Sequence, residues 1–437
     1  MRAVSTVDAG VPAHVKRNTI GGVVGNVLEW YDFAIFGYFA PIIGAQFFPA
    51  ENQVAALINA FGVFAAGYMM RPLGGLVFGH LGDRLGRKRA LQLSVLLMAI
   101  PTTLLGLLPT YASIGIGAPI ALVSLRLLQG VSVGGELIGS ISFCTEIAPA
   151  NRRGLYGSWT LFSAVGGIMV GSFLATVMHT VFDPATLSAW GWRLPFLAGF
   201  AIGGFGLWMR EGMVESPDFE KLEEAGGVAE RPVSEALRRH PGRIFHIGAL
   251  VVMQGGGFYM LFVWWPTYLS HLVQPAVSHA LLVNTISMGL LVVLVPLAGL
   301  ASDLWGRKPV LAAGLGGFVL LAYPLFVVTD HGLLLPALGA QLVFAVLMAA
   351  TLGPAAATMV EMFPTRTRFS GIAIGYNVSL ALFGGTAPLV CTWLISRTGD
   401  VAAPAYYLIA MGVISLTAVL MLRPASGEAS QHSGQRP

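Results

Sequence analysis

Charge is scarce in this 437-residue sequence: Asp, Glu, Lys and Arg make up 11% of it, against 55% hydrophobic residues. A soluble globular protein carries about 25% charged residues. The chain therefore cannot dress a water-facing surface of its own size, which excludes a soluble enzyme and a disordered chain. Cysteine is nearly absent too. The two present, Cys144 and Cys391, lie inside apolar stretches, leaving neither a disulfide framework nor a metal-ligand spacing. No Gly is followed directly by Lys, so the phosphate loop of a nucleotide-driven pump is missing. The sequence thus calls for no catalytic residue, no metal and no cofactor. Period-two alternation in ten-residue segments, the mark of an outer-membrane barrel, is lacking as well.

What the chain has instead is long apolar runs, each near the ~20 residues needed to cross ~30 Å of hydrocarbon. Read between charge clusters they give twelve helices, at 20–44, 54–80, 90–109, 114–145, 158–180, 190–209, 244–270, 279–301, 310–329, 333–361, 370–396 and 403–422. The predicted fold is an all-α integral membrane protein, with the lipid bilayer as its surroundings. About 18 mostly polar residues precede the first run, which is too long and too charged for a cleavable signal. Of 25 Lys and Arg, 21 fall in the tails and the loops after even-numbered spans. By the positive-inside rule both termini face the cytoplasm of a cell's inner membrane. The net charge of +4 is then topology, and no nucleic-acid partner is expected.

Two motifs recur. Gly79-His-Leu-Gly-Asp83-Arg-Leu-Gly86-Arg87-Lys88 returns 220 residues later as Gly299-Leu-Ala-Ser-Asp303-Leu-Trp-Gly306-Arg307-Lys308. Glu146-Ile-Ala-Pro149-Ala-Asn-Arg-Arg153 returns 215 residues later as Glu361-Met-Phe-Pro364-Thr-Arg-Thr-Arg368. The chain accordingly reads as two pseudo-symmetric six-helix halves, 1–209 and 244–437, joined by a cytoplasmic linker at 210–243 that carries eight acidic and six basic residues. In such a layout a substrate site lies near the midplane between halves that rock against each other.

These loops, with Arg126-Leu-Leu-Gln129-Gly130 on the fourth span, resemble the major facilitator superfamily over nearly the full length. Asn26-Val-Leu-Glu29-Trp30-Tyr31-Asp32-Phe33, Met70-Arg71-Pro72, Gly134-Gly135-Glu136, Gly191-Trp192-Arg193 and Phe383-Gly384-Gly385 resemble its metabolite:proton symporters. That subfamily includes carriers of 2-oxoglutarate, citrate and shikimate, and of the osmolytes proline and betaine. The resemblance implies a monomeric secondary carrier working by alternating access, with protons and a small molecule as its partners.

A charge at mid-bilayer costs ~2.5–3.5 kcal/mol on insertion scales, so each one present is a functional candidate. Glu29 and Asp32 share a face of the first span, Arg71 lies on the second, and Arg126, Gln129 and Glu136 share a stripe of the fourth. Counted along the helices, Glu29, Arg71 and Glu136 lie about 13 Å from the cytoplasmic ends, Asp32 higher, and Arg126 roughly 10 Å higher still. The reach of Arg keeps an Asp32 to Arg126 contact open, and in superfamily members with this first-helix Asp the resemblance implies that pair. Asp32, Glu29 and Glu136 are the proton-coupling candidates. Arg126, Gln129 and Arg71, with Tyr31 and Asn26 of the first-helix motif, are the substrate-binding ones. The competing reading is that the charges only pair with one another to hold helices together. The second half offers no clearly intramembrane ionisable group except histidines near helix ends, and supplies neutral candidates: Gln254, Tyr259, Trp264, Tyr376 and Asn377. For the aromatics among these, packing against lipid is the alternative. If a substrate carboxylate displaces Asp32 from Arg126, the partnerless buried carboxylate takes up a proton, and the two load together.

Asp83 and Asp303 can sit at helix N-termini of the opposite half, while Arg87, Arg153, Arg307 and Arg368 can pair with Glu146 and Glu361; the resemblance implies a cytoplasmic gate. The resemblance implies that drug:proton antiporters of the superfamily carry a Gly-Pro kink in the fifth helix, and here Ala164-Val-Gly166-Gly167-Ile-Met-Val-Gly171 has no proline, which favours uptake. A channel or a sensor on the same fold is a third class, against which the duplicated gate motifs argue. Arg126 favours a carboxylate, and the residues after Met421 show no heptads of the coiled coil found in some osmolyte carriers. The expected substrate is thus a small organic acid anion such as a di- or tricarboxylate, with a proline or glycine betaine type osmolyte as the alternative.

Overall fold

The computed structural model describes residues 26–27, 29–49, 52–85, 87–132, 134, 136–146, 148–211, 232–363 and 368–422, with backbone alone at 79–85, 87–91, 136, 143, 146, 202, 206, 209–211 and 232. The side chains of Asp83, Arg87, Glu136 and Glu146, and most of the linker, lie outside the described residues.

Among the described residues twelve helical columns follow one another. In the N-terminal half α1 runs over 29–38 and on through Ala40–Phe47, α2 over Gln53–Met69 and Arg71–Leu85, and α3 over Arg87–Leu107. It is completed by α4 (Gly117–Ser132, then Glu136–Glu146), α5 (Arg153–Val181) and α6 (Leu194–Glu211). The second half holds α7 (Pro241–Leu272), α8 (Ala280–Trp305), α9 (Arg307–Thr329), α10 (Leu334–Glu361), α11 (Arg368–Thr398) and α12 (Ala403–Leu420). Among the described residues eight of these are long and apolar enough to cross a membrane by themselves, and α3 and α12 add shorter apolar runs.

The distribution of side chains suits lipid. Phe200, Leu320 and Phe245 are each at least 75% exposed, while Asp32, Arg126, Asn284 and Gln341 are buried. With no water in hydrocarbon to solvate them, polar groups turn inward and find one another. Small residues let the backbones approach. A Cβ at Gly130 of α4 would lie 1.9 Å from the carbonyl oxygen of Gly67 on α2, so only glycine permits that crossing.

The two halves meet at both ends of the bundle, and α5 and α8 carry both junctions. At one end the Asp303 carboxylate of α8 accepts from the backbone N–H of Gly154 and Leu155, the first turn of α5, at 2.8 and 2.9 Å. Such a carboxylate satisfies two orphan donors and meets the positive end of the helix dipole. Arg307 braces it, donating to Asp303 at 2.6 Å and to Glu361 at 3.2 Å. At the opposite end Asn284 Nδ2 of α8 lies within hydrogen-bond distance of Ser172 of α5 (2.9 Å), Tyr38 of α1 (3.2 Å) and the Phe262 carbonyl (3.1 Å). Tyr38 in turn donates to the same carbonyl at 2.7 Å.

Several features escape the periodicity. The first span turns at Phe39, and α7 contains π-helical segments at Met253–Gly257, Met260–Trp264 and Tyr268–Leu272. A π segment adds one residue to a turn without changing composition, so hydropathy alone does not show it. Gly255, Gly256 and Gly257 are its nearest sequence trace.

Candidate substrate and proton site

Midway along the N-terminal half, α1 presents Glu29 and Asp32 to two arginines. Arg71 Nη2 lies 3.4 Å from Glu29 Oε1, and Arg126 Nη1 lies 3.2 Å from Asp32 Oδ2. All four side chains are buried. The helical count set Arg126 roughly 10 Å above Asp32 and left this contact open; the long guanidinium side chain closes the gap. Asp32 also accepts from Gln129 Nε2 (2.9 Å) and from Thr102 Oγ1 of α3 (2.7 Å). Reading charges alone passes over Thr102, whose only trace is a hydroxyl pair, Thr102 and Thr103, in an apolar helix.

Aromatic rings wall the cations. The Arg126 guanidinium lies 3.9 Å from the Phe36 ring centre and 5.5 Å from that of Phe33. Arg71 lies 5.3 Å from Trp30 and 5.2 Å from Tyr68. Ring faces attract cations, the more so when both are desolvated. The i, i+3 run Trp30, Phe33, Phe36 was the available sequence signal for this wall. From the C-terminal half, Tyr259 completes it, stacking on Trp30 at 6.3 Å and bonding hydroxyl to hydroxyl with Tyr68. The arginines keep spare capacity: Arg126 Nε and Nη2 and Arg71 Nε are buried without a partner atom among the described residues, as is Gln129 Oε1. Such donors can grip a carboxylate at two points.

Not every candidate joins this cluster. Tyr31 turns its hydroxyl to the Pro195 carbonyl of α6 at 3.1 Å, and Asn26 donates to Ser163 of α5 at 3.4 Å. The Trp264 indole donates to Thr392 at 2.9 Å inside the C-terminal half; it packs a core instead of facing lipid or substrate. Gln254 reaches the Thr351 carbonyl at 3.3 Å. Asn377 crosses between the halves to the Gly134 carbonyl at 2.8 Å, and Tyr376 is buried on the same helix. Of the gate candidates, Asp303, Arg307 and Glu361 come together as described. Arg368 instead donates to the Val360 and Phe363 carbonyls at 3.1 and 3.2 Å. Arg153 begins α5 with its Nε buried and without a partner atom among the described residues.

Comparison with known proteins follows the same lines. The sugar (and other) transporter family matches residues 19–231 and 220–425. The proline/betaine transporter of Salmonella typhimurium is 34% identical over 423 residues, covering 94% of this chain and 84% of that protein. The glycine betaine/proline/ectoine/pipecolic acid transporter OusA of Dickeya dadantii is 35% identical over 438 residues, 97% of this chain and 86% of its own length. Among solved structures, the xylose transporter XylE of E. coli, in a partially occluded inward-open conformation, aligns with a TM-score of 0.75 at 20% identity, covering 94% of this chain and 98% of that one. That last likeness is one of fold.

Proposed function

Since the chain belongs to the sugar (and other) transporter family of the major facilitator superfamily and is a multi-pass membrane transporter, we propose that it carries a small zwitterion of the proline or glycine betaine kind together with a proton. Uptake is the direction, the protein acts as a monomer in a cell's inner membrane, and the Asp303 end faces the cytoplasm, where the basic loops lie.

One observation carries the choice of substrate: the site's charges already balance. Among the described residues the cluster holds two cations, Arg71 and Arg126, and each is paired with a carboxylate. The C-terminal candidates Gln254, Tyr259, Tyr376 and Asn377 are all neutral. A di- or tricarboxylate would bring two or three negative charges into this space with no uncompensated cation to meet them, at a large desolvation cost. A zwitterion brings none net. Its carboxylate fits the spare Arg126 donors and its ammonium group the ring faces of Trp30, Tyr68 and Tyr259. The names of the relatives support the same class, and the organic-acid expectation gives way to its alternative.

In the cycle the substrate carboxylate takes Arg126 from Asp32, which then holds the proton as a neutral acid. Closure at the Tyr38 end and release of the Asp303 junction then turn the loaded site inward.

The test is flux into proteoliposomes with pH gradient and membrane potential set separately. One proton moving with a zwitterion carries net charge, so ~100 mV supplies about 2.3 kcal/mol, and each pH unit about 1.4 kcal/mol. Glycine betaine or proline uptake should fall severely when the potential is collapsed at fixed pH gradient. Uptake of citrate or 2-oxoglutarate but of neither zwitterion would refute the proposal, as would uptake indifferent to the pH gradient.

A further inference from the structure

The Asp32 carboxyl turns Oδ2 to Arg126 and its other oxygen, Oδ1, to Thr102. Behind it α1, α3 and α6 leave a crevice lined by Tyr31, Asp32, Val95, Met98, Thr102 and Gly199 among others, with room for about one water molecule. Helices α3 and α6 pack chiefly on one another and within the N-terminal half, so this space is separate from the interface between the halves. Glycine makes the walls close. A Cβ at Gly203 of α6 would lie 2.2 Å from the Ala99 Cβ, and one at Gly199 would lie 2.7 Å from Thr102 Cγ2.

Thr102 stands between the crevice and the carboxyl. Its Oγ1 is 2.7 Å from Asp32 Oδ1 and 2.7 Å from the Met98 carbonyl, and accepts from Gln129 Nε2 at 2.8 Å. A threonine hydroxyl has one hydrogen and two lone pairs, so it serves one of those two acceptors at a time. With Asp32 ionised, the hydrogen points at Oδ1. With a proton on Oδ1, the carboxyl O–H donates to Thr102, whose own hydrogen turns to the Met98 carbonyl. Gln129 donates to Oδ2 and Oγ1 in both states, and Arg126 donates to Oδ2 until the substrate carboxylate draws it away. Neither state strands a buried polar group, so the carboxyl can change its protonation without repacking.

We propose that protons reach and leave Asp32 through this crevice, at Oδ1, by a route distinct from the substrate's, with Thr102 as the positioning residue. A hydronium in the crevice passes its proton to Oδ1 and stays behind as water; on release Oδ1 returns the proton to a water and the Thr102 hydrogen swings back. The groups around Asp32 permit this. Arg126 of α4 is the charged group facing it among the described residues, on Oδ2; α3 offers Thr102, α6 offers glycines, and α1 itself offers the Tyr31 phenol and, one turn away, Glu29 on Arg71.

This inference rests on proton coupling at Asp32, and the experiment separates the two. Labelled glycine betaine uptake driven by a pH jump, and betaine exchange at equal pH, are measured in proteoliposomes for the wild type, Asp32→Asn, Val95→Ile, Thr102→Val and Thr102→Ser. Val95→Ile adds one methyl to the crevice wall, away from Arg126, and should slow pH-driven uptake about tenfold with exchange unchanged. Thr102→Val should lower pH-driven uptake about tenfold, and Thr102→Ser, which keeps the hydroxyl, should restore it. If the wild type shows no pH-driven uptake, or Asp32→Asn retains it, the coupling reading fails and this one with it. If coupling holds but Val95→Ile takes up betaine at the wild-type rate, the route is refuted whatever Thr102→Val does.

Discussion

Replacing Arg126 with lysine keeps the charge of the site and changes only its geometry. In the wild type one guanidinium edge holds Asp32 through Nη1 at 3.2 Å, while Nε and Nη2 have no partner atom among the described residues. The Phe36 ring packs against the fork, its centre 3.9 Å away. A bound carboxylate can thus take two charge-assisted hydrogen bonds, each contributing about 1.5–3 kcal/mol net. A lysine ammonium is a compact point charge without the planar fork, so at least one of the two is lost. Apparent affinity should fall at least tenfold, ~1.4 kcal/mol, and by up to ~150-fold for a loss near 3 kcal/mol. Calorimetric titration of the purified Arg126→Lys protein with glycine betaine, beside a melting curve showing an intact fold, measures this directly. A dissociation constant within twofold of wild type would refute the reasoning and move the anion site to Arg71.

Three further outcomes are expected. Asp32→Asn mimics a permanently protonated carboxyl, so it should abolish uphill accumulation while downhill exchange persists; accumulation at the wild-type rate would sink the assignment. Asp303→Asn replaces one acceptor oxygen by an NH2 group facing the α5 amides, costing about 1–3 kcal/mol at that junction, and should speed thiol alkylation of a Ser158→Cys reporter at least fivefold by favouring the state open there. Gly130→Ala forces α2 and α4 apart and should prevent stable expression, whereas Gly166→Ala, with open space around its Cβ position, should be tolerated or slightly stabilising; equal melting temperatures would contradict the packing argument.

The twelve spans, the duplicated half and the ionic pairs were legible because each leaves a mark on composition or spacing. Hydrocarbon demands long apolar runs, and a charge inside one is conspicuous. Asp303 was readable as a helix-terminus anion because its motif marks the end of a span, where Asp303 occupies the last turn of α8. Thr102, by contrast, is an ordinary helix residue until α1 and α4 are folded against α3. The balance of charge that disfavours a polycarboxylate was equally hidden: Arg126 read alone suggests an anion, and only its pairing with Asp32 shows that the cation is already spoken for. Tyr31 shows the opposite failure, since its place in the first-helix motif suggested substrate while its hydroxyl serves α6.

Both junctions between the halves are mounted on one pair of rods. Asn284 and Asp303 stand at opposite ends of α8, 19 residues and so about 28 Å apart, and each binds α5. Sites that far apart contribute independently. Suppose each junction disfavours opening at its own end by ~2.8 kcal/mol, about a hundredfold; a conformer open at both ends is then rarer than the closed one by about ten-thousandfold. For a carrier that spends an ion gradient, that product sets the rate of futile leakage through a continuous pore. A weakened junction would therefore do harm out of proportion to any loss of uptake, because it multiplies the leak while leaving the binding site intact.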